Sequence, residues 1–403
     1  MGLNQEHVQG SRSRLYVEAE TTPGTFVRAT AAGAIRHLEA DIDLKFDRVP
    51  RRDAHGGRQD FMRYSGKRWA TWRIKKYFMG PATTPGSGSE PDDDVLHRMF
   101  WGGRSYPGGT SVRYSLSSSQ ALLTGSGSLL ANYDAAIWMT QIKGMTCEDW
   151  KLTASGGDAP MLEFGGDAFD HRNTGYSLIA AGATSATQAV TAGEGASFEG
   201  GNPFGSVLQI GAQNNGGTGY RVNSISTDNL VLEASLTTLL GDVVRPYAPS
   251  PVTAGSPVAH SAGSLTMNRS GLGAVTMPIV SCEVAGKNNY KQLRDHAFED
   301  SPTDALLGWR ELTFKVVVRA RRDMIIWMAA RKSFPSVALI LTVGSAVGHR
   351  GVFTAPQAEL DVGKLSLPAA GDASEGTIEM TGLCLDTATS GEGNNDAATF
   401  DYT

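Results

Sequence analysis

The sequence predicts a mainly β protein: two tandem β-sandwich or barrel domains, each with a flanking short helix, and a small β-module inserted between them. The first observation is compositional. Glycine fills 48 of 403 positions, and Gly, Ser, Thr and Ala crowd the spaces between apolar runs. That favours many short strands with tight turns over long helices. The second observation is a strand-like stretch that occurs twice. Residues 66–78 and 308–320 align without a gap, so that Ala70, Trp72 and Ile74 fall on Leu312, Phe314 and Val316, and Thr71 and Arg73 fall on Thr313 and Lys315. Successive strand side chains point to opposite faces, so each stretch has one apolar face and one polar face. Trp72, Ile74, Phe314 and Val316 are the expected core positions of two half-buried strands.

The echo continues in the same order. Asp94 followed by Val95, Leu96, Met99 and Phe100 answers to Asp323 followed by Met324, Ile325, Met328 and Ala329. Both read as a short helix with an N-terminal Asp and one apolar face. Lys151-Leu152, Gly157-Asp158-Ala159 and Leu162-Glu163-Phe164 answer to Lys364-Leu365, Gly371-Asp372-Ala373 and Ile378-Glu379-Met380, each set reading as strand, polar turn, strand. Three matched blocks in one order point to internal duplication. The expected organisation is a first β domain over 1–172, an inserted module over 173–255, and a second β domain over 256–403 ending in a polar arm.

Other elements follow from local pattern. Leu15 to Glu20 reads as a strand before the turn at Pro23-Gly24, and period-two alternation from Asp41 gives another. Residues 47–66 and 285–308 read as long connections ahead of the repeated strand. The first carries Arg48, Arg51, Arg52, Arg58 and Arg63, and the second carries Lys287, Lys291 and Arg294. Long loops in compact domains tend to be functional, so these eight cations are the candidate contacts to neighbouring molecules, set against the plainer reading of a solvated loop. Asp92-Asp93-Asp94 is read as a helix N-terminus, where acids complement the dipole, in preference to a metal cluster. Gly125-Ser126-Gly127 is read as a turn. In the module, Val207 to Gly211, Tyr220 to Ile225 and Leu230 to Glu233 are short strands, and residues 250–257 form a linker.

Bulk properties narrow the classes of function. The net charge of −5 demands neither nucleic acid nor an anionic membrane. Three widely spaced cysteines, Cys147, Cys282 and Cys384, form neither a metal spacing nor a disulfide framework, and are expected as buried thiols. The polar N-terminus lacks a secretory core segment and no apolar run is long enough to span a bilayer, so folding in a reducing cytoplasm is expected. Paired histidines at metal-helix spacing, a nucleophile elbow and a dinucleotide loop are all lacking. The pairs Asp170-His171 and Asp295-His296 read as turn residues. No catalytic, cofactor or metal residue is assigned, and no cofactor is expected.

Strand, long loop, strand, helix and further strands ending in a polar arm resembles the tail tube (major tail) proteins of long-tailed bacteriophages. The stretch Glu20-Thr21-Thr22-Pro23-Gly24-Thr25-Phe26 and the one from Phe353 to Leu385 are similar to the start and end of such proteins. The resemblance implies a structural virion protein that is not an enzyme. Its copies assemble into rings that stack into a tube with other tail proteins, and double-stranded DNA passes through without specific binding. With two tube domains per chain, three chains close a pseudo-sixfold ring; the alternative is a hexamer. The inserted module then lies outside the tube, the helices pack outside or between neighbours, and the wall of the channel carries few free cations. The alternative is a carbohydrate- or surface-binding β-protein of the spike or adhesin type, and a hydrolase on a β-scaffold is the third reading.

Overall fold

A computed structural model describes residues 13–50, 63–81, 84–116, 123–131, 137–156, 158–250, 263–269, 273–293, 302, 305–306, 308–321, 337–344, 350–367, 376–385 and 398–403. The protein is mainly β, as its composition and alternation predict. The first half runs β1 (Arg14–Ala19), β2 (Ala34–Ile35), β3 (Glu39–Pro50), β4 (Arg63–Tyr77), helix α1 (Asp94–Trp101), β5 (Gly102–Ser105), β6 (Val112–Leu116), β7 (Gly125–Ala131), β8 (Trp138–Met145), β9 (Asp149–Ser155), β10 (Met161–Ala168) and β11 (Asp170–Thr174). The middle contributes β12 (Ser177–Ala181), β13 (Thr184–Val190), β14 (Val207–Ile210), β15 (Tyr220–Ser226), β16 (Asn229–Thr237) and β17 (Val243–Pro246). The second half adds β18 (Gly263–Arg269), β19 (Gly273–Lys287), β20 (Lys291–Gln292), β21 (Ala305–Leu306), β22 (Glu311–Arg319), β23 (Val337–Val343), β24 (Gly351–Ser366), β25 (Thr377–Cys384) and β26 (Thr399–Tyr402).

The two halves repeat one order of antiparallel pairing. In the first, β3 pairs with β4, β4 with β10, and β10 with β9. In the second, β19 pairs with β22, β22 with β25, and β25 with β24. The register repeats too. Trp72 faces Ile42 and Gly166, and Phe314 faces Val284 and Gly382. Glycine is needed opposite both rings: a Cβ on Gly382 would sit 2.4 Å from the Phe314 ring, and one on Gly166 would sit 1.9 Å from the Thr146 carbonyl. The sets are joined edge to edge, because β9 also pairs with β19 from Asp149 opposite Lys287 to Ser155 opposite Ser281. Eight strands, β3-β4-β10-β9-β19-β22-β25-β24, therefore run as one continuous sheet. Trp72, Ile74, Phe314 and Val316 all point to its buried face.

Each set is backed by more strands. In the second half, β24 also pairs with β23, β23 with β18 and β18 with β19, which closes a circuit of six strands. In the first half a separate sheet, β11-β8-β7-β1-β2, covers the core. The stretch Gly125-Ser126-Gly127 is part of β7 and not a turn. A Cβ on Gly127 would come within 2.9 Å of both the Met145 sulfur and the Ile142 side chain, so the glycine serves close packing. Residues 177–246 form a closed six-stranded barrel, β12-β13-β16-β15-β14-β17, with its own core around Leu208, Val222, Leu230 and Val244. It is tied to the first half by Arg28 with Glu233 at 2.5 Å, Arg68 with Glu199 at 3.4 Å, and Phe26 against Phe204 at 4.8 Å between ring centres.

Several expectations need correction. The helix does not flank its domain. Leu96, His97, Met99, Phe100 and Trp101 are all buried, and Trp101 packs edge-on against Trp150. A helix with so many large side chains turned inward is a core element. Its expected counterpart at 323–329 lies outside the described residues, as does most of the linker over 250–257. The connection 47–66 is shorter than expected, because β3 continues to Pro50 and β4 begins at Arg63, extending the hairpin past the end of β10. The connection 285–308 starts as the end of β19 and contains the small β20–β21 pair. Asp170-His171 lies within β11, not in a turn, whereas Asp295-His296 is outside the described residues. The polar arm is also not wholly an arm. Thr399–Tyr402 form β26 between β24 of the second half and β6 of the first. Alternation puts Phe400 and Tyr402 in the core, both fully buried.

Candidate functional site

Two features stand out once the fold is assembled: the polar face of the eight-stranded sheet, and a buried ionic cluster beneath it. The polar face follows from strand alternation. Thr71, Arg73 and Lys75 on β4 and Thr313, Lys315 and Val317 on β22 point away from the core. Several cations on this face have carboxylates for neighbours. Arg73 pairs with Glu163, Lys315 with Glu379 at 3.0 Å, and Lys151 with Glu283 at 2.9 Å across the β9–β19 joint. Lys287 lies 3.8 Å from Glu148, and Lys45 pairs with Asp43. Two shallow grooves run along the face, one in each half. The larger, about 620 Å³, is lined by Glu283, Glu311, Lys315, Glu359 and Asp361 among others. The smaller, about 500 Å³, lies over β4, β10 and β9. A surface whose cations are already neutralised has weak attraction for a polyanion.

Of the eight candidate contact cations, the four among the described residues fall on four different strands. Arg48 is in β3 and Arg63 in β4, on the hairpin extension. Lys287 ends β19 and is half exposed, and Lys291 is exposed on β20. Arg51, Arg52, Arg58 and Arg294 lie outside the described residues. Arg113 of β6 grips Asp401 of β26 with two bonds of 2.8 Å, which ties the C-terminal strand to the first half.

The ionic cluster was hidden from sequence reasoning. Lys76 is on β4 at a core-facing position and is fully buried. Its ammonium pairs with Asp92 and, at 2.9 Å, with the fully buried Asp93. Burial alone would drag the Lys76 ammonium down, but the two carboxylates outweigh it and hold its pKa above the ordinary value. The Tyr402 hydroxyl donates to Asp93 at 3.1 Å, and His97 Nε2 lies 3.0 Å from that hydroxyl oxygen. Asp94 accepts from Tyr114 at 2.8 Å and from Arg104 at 2.6 Å. The acidic run does start a helix, but Asp93 makes no side-chain capping bond, because Lys76 and Tyr402 use its carboxylate. One signal was available. The repeat places Lys76 opposite Val318, so a buried valine in one copy is a lysine in the other. Among the described residues, no cluster of His, Cys, Asp or Glu side chains is placed to hold a metal ion. The three cysteines are free and buried, with burial raising the thiols of Cys282 and Cys384 to about 12.

His97 gives a pH prediction. It stacks on Tyr114 at 4.7 Å and on Phe400 at 5.2 Å. Burial first, and the Lys76 charge second, hold its imidazole well below the ordinary 6.5. The unfolded chain takes up this proton as pH falls through about 6.5 and the folded chain does not. The unfolded state then binds more protons, so stability present above that pH is lost below it. Between pH 7 and pH 5.5, His97→Gln is expected to flatten the fall in unfolding free energy, measured by urea titration, by up to about 1.4 kcal/mol per pH unit. His37 and His171 shift in the same direction through burial, so a shallower slope remains. Equal slopes for the two proteins would exclude a neutral buried His97.

Against this geometry, no protein-family model matches the chain, and no curated protein matches it.

Proposed function

We propose that the chain is a structural virion protein whose copies form rings that stack into the tail tube of a long-tailed phage. The observation that carries this reading is the repeated four-strand order with its edge-to-edge joint, β9 against β19. One chain already holds two equivalent units side by side in one sheet. Repeating that joint between chains is a head-to-tail contact, which makes a closed ring when the rotation closes. Three chains would supply six units. The polar sheet face, with several of its cations matched to carboxylates, suits a wall along which DNA slides without being held. The β3–β4 extension, with Arg48 and Arg63 on it, runs past the sheet along the strand direction, toward a stacked ring.

Electron microscopy of the purified protein at high concentration, with mass analysis of rings, tests the reading. Hollow tubes with three chains per ring are expected. Six chains per ring would keep the tube and remove the trimer. A protein that stays monomeric, even with the other tail components, would reject the assembly role and favour a surface-binding β-protein.

A further inference from the structure

We infer that neighbouring copies join through one defined strand pairing, β24 of one copy against β3 of the next, in a register set by the chain's own internal joint. The inference rests on the ring-forming reading and names its contact. β3 and β19 hold the same place in the two strand sets, and so do β9 and the latter part of β24. Within the chain, β9 and β19 close on each other: Leu152 faces Val284, Lys151 faces Ala285, and Asp149 faces Lys287. The matching edges remain open among the described residues. β3 is the end strand of its sheet, and beyond Ala358 β24 pairs with β25 alone. Long strands with an open edge are templates for another chain. Here the two open edges are the two sides of a joint the molecule already makes once.

The register follows by steps that use backbone pairing only. Ile42 faces Trp72 as Val284 faces Phe314, so Ile42 stands where Val284 stands. Leu365 faces Ile378 as Leu152 faces Leu162, so Leu365 stands where Leu152 stands. Val284 faces Leu152, and therefore Ile42 of one copy faces Leu365 of the next. The same steps place Asp43 opposite Lys364, and Lys45 opposite Asp361. Charge played no part in the derivation, yet both polar pairs are of opposite sign, which favours a cross-strand contact. The apolar pair also agrees, since Leu365 is 44 % exposed in the single chain. Lys45 turns to Asp43 on its own strand there, and the Asp43 side chain is 63 % exposed. Inside the chain the joint is bridged by Lys151 and Glu283, and the residues in their places across the new joint are Lys364 and Asp41.

The test mixes two single variants, Asp43→Cys and Lys364→Cys, under assembly conditions with mild oxidation. The native cysteines are buried. Disulfide-linked dimers are expected from the mixture and from neither variant alone. Asp43→Cys mixed with Glu379→Cys, which lies one strand further from the joint, is expected to give none. A second arm reads assembly directly. Asp43→Lys and Lys364→Asp should each raise the concentration needed for assembly at least tenfold, and the double exchange should restore it. If the unaltered protein forms rings while the first mixture fails to cross-link and neither exchange affects assembly, this joint is wrong and the ring reading stands. Cross-linking of the Glu379→Cys mixture in its place would overturn the register in the same way. If the unaltered protein never assembles, both fall.

Discussion

Lys76→Met is expected to destabilise the protein by about 3–5 kcal/mol, the range for removing one partner of a buried ion pair. The variant keeps most of the volume and loses the charge. Asp93 is fully buried and would be left with the Tyr402 hydroxyl and a neutral His97 as neighbours. A carboxylate so placed either bears the desolvation cost or takes up a proton, and both routes weaken the fold. Urea unfolding at pH 7 checks the magnitude. The informative companion is Lys76→Met with Asp93→Asn, which removes the second charge as well. Recovery of half the loss or more is expected, because replacing both members of a buried pair is far cheaper than replacing one. Asp92 is partly open to solvent and can stay hydrated. Equal instability of the single and double variants would show that Lys76 acts through packing of its stem and not through its charge.

Phe400→Ala is the second large effect, with an expected loss of about 3–5 kcal/mol for a fully buried ring. Phe400 packs on Trp150 at 5.4 Å, stacks on His97 and meets Phe78 at 6.0 Å. The strand that carries it is shared. One edge of β26 bonds to β24 and the other to β6, so the ring anchors a strand that ties the second half to the first. Thermal unfolding followed by tryptophan fluorescence should report the loss, since Trp150 and Trp101 lie in the same cluster. Tyr402→Phe should be milder, because it gives up the hydroxyl contacts and keeps the packing. A Phe400→Ala variant within about 1 kcal/mol of the parent would mean that the pocket collapses onto the lost ring.

What could be read from the chain was what depends on neighbours in sequence. Alternation over Trp72 and Ile74, and again over Phe314 and Val316, marked two strands, because the period-two pattern is local and strong there. The paired blocks around Leu152 and Leu365 were legible for the same reason. What failed depended on partners far along the chain. The acids at 92–94 were expected to cap a helix, but Lys76 and Tyr402 are brought to them by the sheet. Phe400 and Tyr402 are two apolar residues in a four-residue strand, too short to distinguish from a polar tail without β6 and β24 beside them. The first barrel strands, β12 and β13, were not anticipated. Thr184–Val190 is made mostly of small and polar residues with no marked alternation, and closure of the barrel makes it a strand.

The barrel between the halves has its own bearing on how the chain can be altered. Its first and last strands pair with each other, Ser177 opposite Val244 and Leu178 opposite Val243, so the chain enters and leaves the barrel at neighbouring points. Two ends only about 5 Å apart can be bridged by a short loop or by another compact domain without moving the strands on either side. The host would need cover for Phe26 and new partners for Arg28, Arg172 and Asn173, which now lean on the barrel, whereas Arg68 keeps Asp170 at 2.6 Å. With those positions given other partners, residues 177–246 become an exchangeable cassette, and the body of the protein a chassis on which foreign domains can be displayed.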